Sequence, residues 1–276
     1  MALPLAVSAY IRSALTTLEH ILIPRRLRSG GHTSAEALSD YGILHGMALP
    51  MLLYPMAPLT SFAGLLVPEF SEGEARGDGA RMARIASEAI NATLVYSIAT
   101  AVFMMLFSEE LGYAVYGSYE AGYYISVMAP VIPIMHLDHV SDAMLKGMGE
   151  HVYSMWVNIA DSFLSIILVW LLLPSLGIGG YAIVIVFMEG FNFALSAHRL
   201  RRRVKTSIKP VSSVVIPLLS ALIASCLSKR LFLFEGRMAA PVWLFLKLIF
   251  AVCVFLACYL LFTKIGFKRK KRRKNA

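Results

Sequence analysis

Ser8, Arg12, Thr16 and Glu19 follow one another at steps of four, four and three, which returns each to the same face of an α-helix. They lie in the apolar stretch 3–23, with Arg12 near its middle. A guanidinium at that depth can line a hydrated cavity and grip phosphate or carboxylate through its planar fork, or form an ion pair that joins helices. Three further apolar stretches carry polar stripes. Ser154, Asn158, Asp161 and Ser165 share one face of 151–174, and Glu189, Asn192 and Ser196 one face of 178–200. His136, Asp138, His139 and Asp142 fall in 121–145, the two carboxylates four apart on one face. An ionisable group at mid-bilayer costs at least about 2.5–3.5 kcal/mol. These residues are therefore expected to line a substrate path, couple an ion or bond to a neighbouring helix. Two His with two Asp raise a metal site, but His136 and His139 flank the carboxylates awkwardly, and neither metal nor cofactor is expected. There is no P-loop, GxSxG or HExxH, and one turn of helix holds Asp138 and Asp142 side by side rather than across a catalytic dyad, so no enzyme is expected.

The elements that must position these groups are membrane helices. Apolar residues make up 58% of the 276 and charged residues 16%, where soluble domains carry about 25% charged. The apolar residues come in blocks of about 20, the length of helix that spans about 30 Å of hydrocarbon. They do not alternate as barrel strands do, so the expected fold is all-α and polytopic. Eight spans are read at 3–23, 42–67, 86–107, 121–145, 151–174, 178–200, 211–232 and 240–263. Gly147-Met148-Gly149 turns the chain between the fourth and fifth, Pro174 with Gly177-Ile178-Gly179-Gly180 parts the fifth and sixth, and Lys209-Pro210 opens the seventh. The second span holds Pro50, Pro55, Pro58 and Pro68, and is expected to bend or break and free carbonyls near His45, as broken helices that line transport sites do. The polar stretch from Pro68 to Ala86 reads as a short amphipathic helix at the interface. The last two spans hold no acid and read as peripheral, and Cys226, Cys253 and Cys258 as small apolar fillers.

The net charge of +9 invites a nucleic-acid partner, but the basic residues cluster at the ends of apolar blocks, where they set orientation and meet anionic lipid. Eighteen Lys and Arg fall on the side of both termini, against six on the other. Both termini are thus expected in the cytoplasm, and Ser108-Glu109-Glu110 outside.

Three long stretches, ALPLAVSAYIRSALTTLEHILIPRRL, YGILHGMALPMLLYPMAPLTSFAGLLVPEFSEG and MLKGMGEHVYSMWVNIADSFLSIILVWLLLP, resemble the stage V sporulation protein B group of the MATE-like oligosaccharide/polysaccharide flippase and multidrug-exporter (MOP) superfamily. The resemblance runs over residues 2–205. It implies two six-helix lobes facing one another across a cavity, with two extra helices at the C-terminal end. This chain would supply the C-terminal lobe (1–205), the two additional helices (206–263) and a basic cytoplasmic tail (264–276), with an N-terminal lobe still to be found upstream or on another chain. The implied function is a flippase of lipid-linked oligosaccharide or peptidoglycan precursor, serving cell-wall, spore-cortex or polysaccharide synthesis in the cytoplasmic membrane. The alternative is an ion-coupled exporter of multidrug or other organic cations. Arg12 would hold phosphate, while Glu19, His45, Asp138, Asp142, Asn158, Asp161, Glu189 and Asn192 would line the path or couple ions.

The orientation is open to a direct measurement. In a background stripped of native thiols, a cysteine at Glu109 should react with an impermeant maleimide in sealed cells and one at Arg201 should not; strong outside labelling at Arg201 reverses the assignment.

Overall fold

The computed structural model describes residues 2–31, 33–232 and 240–274, and the side chains of all these except 2–8, 240 and 265–274. Arg237 and the side chains of Ser8 and of the tail beyond Ile265 lie outside that description. No strand occurs among the described residues. The chain forms α1 (Ala2–Ser29), α2 (Ser34–Arg76), α3 (Gly79–Leu106), α4 (Ser108–Tyr116), α5 (residues 119–147), α6 (His151–Arg203), α7 (Val211–Leu231) and α8 (Ala240–Lys274). Five of these, α2, α3, α6, α7 and residues 241–264 of α8, are long and apolar enough to cross a membrane. The protein is an all-α polytopic membrane protein, with α1 and α5 carrying many of the polar groups singled out above.

Local sequence explains how these helices begin and bend. Thr33 caps α2 through a reciprocal box with Glu36, whose carboxylate accepts the Thr33 N–H at 2.8 Å. Before Pro50 the helix widens into a π-turn over Gly42–Ala48, where the Leu49 N–H donates to Leu44 O, five residues back. It tightens to 3₁₀ at Tyr54–Met56, beside Pro55. Proline lacks an N–H and crowds the carbonyl four residues earlier, so the regular ladder fails where expected, and His45 sits within the π-turn. The stretch after Pro68 corrects the expectation: no separate interfacial helix forms. α2 runs on to Arg76, Gly77 caps it in the left-handed conformation, and α3 starts at Gly79. Ser108-Glu109-Glu110, between the expected third and fourth spans, is the first turn of α4.

A straight helix of 53 residues would be about 80 Å long, far beyond the hydrocarbon core. α6 instead breaks at Gly177, whose φ of 58° and ψ of −148° suit glycine alone. The two limbs fold back on each other: the Tyr153 hydroxyl donates to Leu195 O at 3.0 Å, and Arg199 pairs with Glu150 at 2.8 Å beneath the N-terminus of α6.

Packing divides the chain into two compact units, one of Met1–Ala89 with Ile134–Thr206 and one of Ile90–Pro133 with Ser207–Ala276. In the first, α1 runs alongside the first limb of α6. Glu19 meets Ser165, Arg26 meets the Trp170 carbonyl, and Gly30 abuts Pro174, so close that a methyl at Gly30 would lie 2.6 Å from the Pro174 oxygen. Both numbers rise together, so the two helices are parallel. Ile23, Leu27 and Leu173 are fully buried in this unit. Arg203 bridges Glu74 at the end of α2 to Glu150, closing one end of the unit with an ion network. In the second unit, Ala99, Val102, Ala221, Ala224 and Phe255 form a core, with Phe103 edge-on to Phe255. Asn91 fixes the approach to α7 by bonding Ser207 O, the Lys209 N–H and the Ser213 hydroxyl.

The break at Gly177 yields a paired test. Gly177→Ala should lower thermal stability in detergent by about 1–3 kcal/mol. Gly179→Ala, where the added methyl meets nothing within 4 Å, should not destabilise. Equal behaviour of the two variants refutes the strained turn.

Candidate functional site

The first unit gathers most of the singled-out residues. Glu19 of α1 accepts the Ser165 hydroxyl at 2.7 Å. Asp161, one turn earlier on α6, is hydrogen-bonded by Asn192 of the second limb and lies within electrostatic reach of Arg12, Glu19 and Asp138. Asp138 of α5 is hydrogen-bonded by Ser196, and Glu189 senses both Asp138 and Asp161. Four carboxyl groups from three helices thus form one acidic seam through the unit. One oxygen each of Asp138, Asp161 and Asn192 is buried without a hydrogen-bond partner among the described residues. Buried acceptors of this kind suit a proton or a small cation.

The remaining residues sort differently. Arg12 is exposed on α1 and, with Asn158, lines an open cavity of about 210 Å³ at the start of α6, to which Lys146, His151 and Ser154 also contribute. Asn158 donates its amide to Ser154 O at 2.8 Å. Asp142 sits at the edge of the seam: its carboxylate binds Lys146 at 2.6 Å and lies within electrostatic reach of Asp138. His45 belongs to a cluster of rings, stacked on Tyr41 at 5.0 Å and edge-on to His20 at 4.7 Å. His20 Nδ1 lies 2.6 Å from the Tyr41 hydroxyl, and the Tyr181 ring lies 6.3 Å from that of Tyr41. Among the described residues no three His, Cys, Asp or Glu side chains converge as a metal site requires.

His20, Tyr41, Tyr181, Lys146 and His151 escaped the sequence reading. Tyr41 and His45 are four apart, the helical spacing that places rings on one face, so that pair was available from the sequence. Lys146 and His151 sit at helix ends, where a basic residue reads first as an orientation signal.

Comparison with known proteins places this arrangement. The MatE family profile matches residues 31–171, about half of the chain. Stage V sporulation protein B of Bacillus subtilis is 28% identical over 67% of this chain and 36% of its own length. Sporulation protein YkvU of the same organism is 22% identical over 72% of this chain and 44% of its own. The matched region thus spans less than half the length of either curated relative. A solved MOP superfamily transporter from Pyrococcus furiosus superposes with a TM-score of 0.54 at 18% identity, over 91% of this chain and 61% of that one, a likeness of fold.

The contact between α1 and α6 can be weighed by a double-mutant cycle. Ser165→Ala and Glu19→Ala should each destabilise the protein, with a coupling of about 1–2 kcal/mol between them. Strict additivity in detergent unfolding would show that the two side chains do not share a bond.

Proposed function

The chain belongs to the MatE family, whose members are transporters rather than enzymes, and we propose that it is one lobe of a flippase for lipid-linked oligosaccharide or peptidoglycan precursors. Such a flippase would serve cell-wall, spore-cortex or polysaccharide synthesis in the cytoplasmic membrane. The similarity to two sporulation proteins supports the setting. Their greater length supports a second lobe, in cis or as a separate chain, to complete the path.

One observation carries the choice of substrate class: Arg12 lies exposed at a cavity that also holds Lys146 and His151. A diphosphate-bearing headgroup is matched by a guanidinium fork that binds two oxygens at once. The acidic seam then has the coupling role, taking up a proton or cation as the lobe rocks between its two states. The seam also favours a second reading, an ion-coupled exporter of organic cations, in which Glu19, Asp161 and Glu189 would bind the cargo itself.

Assembled with its complementary lobe, Arg12→Lys should insert normally yet slow translocation of a labelled lipid-linked oligosaccharide at least about tenfold, because lysine keeps the charge and loses the fork. Full translocation in Arg12→Ala overturns the phosphate role. Export of a quaternary ammonium dye that is lost in Asp161→Asn but untouched by Arg12→Ala establishes the exporter in its place.

A further inference from the structure

The cavity at the start of α6 is more than the surroundings of one arginine. It opens where three segments meet: Arg12 comes from α1, Lys146 from the last turn of α5, and His151 and Ser154 from the first turn of α6. Among the described residues, no carboxylate lines it. His151 is the first residue of α6, and the Ser154 N–H is already engaged by Glu150 O at 3.1 Å. The amides of residues 151–153 precede the first internal bond of the helix and carry the positive end of its dipole. Ser154 adds an independent sign. It is 5% exposed, and its hydroxyl has no hydrogen-bond partner among the described residues. A buried hydroxyl left without a partner is costly unless a ligand completes it. Lys146 spends one donor on Asp142 at 2.6 Å and retains two.

We propose that this cavity is an oxyanion site for a single phosphate group, bound by Arg12, Lys146, His151 and Ser154 together. A tetrahedral phosphate offers oxygens in three directions, which suits donors arriving from three segments, whereas a carboxylate is satisfied by one guanidinium fork. Size sets a limit as well. At about 210 Å³ the cavity is smaller than the 300–1,000 Å³ typical of pockets for whole small molecules. It holds a phosphate and leaves whatever the phosphate carries outside. The proposal deepens the flippase reading and rests on it only for the source of the ligand, because a lipid headgroup and free phosphate present the same chemistry.

The test uses the full chain in phosphatidylcholine nanodiscs and radiolabelled inorganic phosphate in equilibrium dialysis. Arg12→Ala and His151→Ala should each weaken binding at least about tenfold, and Ser154→Ala about threefold, with helicity by circular dichroism unchanged. Asp142→Asn removes the carboxylate that competes for Lys146 and should tighten binding about threefold. Should Arg12→Ala fail to fold, Arg12→Lys and Lys146→Gln carry the same prediction of weakened binding. If phosphate arrives on a lipid, phosphatidic acid in the nanodisc displaces the label; if the ligand is free phosphate, the label stays. Both results support the site and differ only in the source. Binding that is undetectable in the wild-type chain, or equal in wild type, Arg12→Ala and His151→Ala, overturns it. Phosphate binding without any lipid translocation would sink the flippase reading and leave the site standing.

Discussion

Charge in a medium that cannot solvate it is the constraint around which the first helical unit is built. Glu19, Asp138, Asp161 and Glu189 would each be prohibitively costly facing lipid, so the helices that carry them turn them toward one another and toward Ser165, Asn192 and Ser196. That demand helps to fix the rotation of α1, of the end of α5 and of both limbs of α6. The same helices are then free to present leucine, phenylalanine and tryptophan outward. Trp156, Phe163, Trp170 and Phe187 are all exposed on α6, as a lipid-facing surface requires.

Neighbouring carboxylates repel one another, and the seam holds more acid than the basic residues near it offset. Arg12 acts on Asp161 and Lys146 on Asp138, yet buried oxygens remain unbonded. A fully charged seam is therefore unstable without a proton or a cation from outside. In a coupled transporter, occupancy of such a seam would change how tightly the three helices hold together.

Much of this was legible in the sequence, for identifiable reasons. Steps of three and four along apolar blocks place polar groups on one face of a helix, so the Asn158–Asp161–Ser165 and Glu189–Asn192–Ser196 stripes could be read without a structure. Proline spacing foretold the disturbed ladder near His45, and Gly177 lay within the expected break. Sequence periodicity says which residues share a face but not which faces meet. For that reason the pairing of Asp142 with Lys146, the ring cluster around Tyr41 and the cavity joining Lys146 to Arg12 show only in the folded chain. The polar run after Pro68 misled because charge density was read as a change of element, when two helices simply extend beyond the apolar core and meet at Gly77.

The reversal at Gly177 has a mechanical side. Its two limbs are joined by the peptide chain at one end and bolted at the other by Glu150, Arg199 and Arg203. A hairpin fastened at both ends cannot shear lengthwise, so it moves as a single beam and carries half of the acidic seam with it. Whatever flexing transport demands must then be taken up in a softer member, and the π-turn at Gly42–Ala48 in α2 is already out of regular helical step. The stiff element and the compliant one touch where Tyr41 meets Tyr181. A displacement of the beam is therefore transmitted across that joint to the rings of Tyr41, His20 and His45.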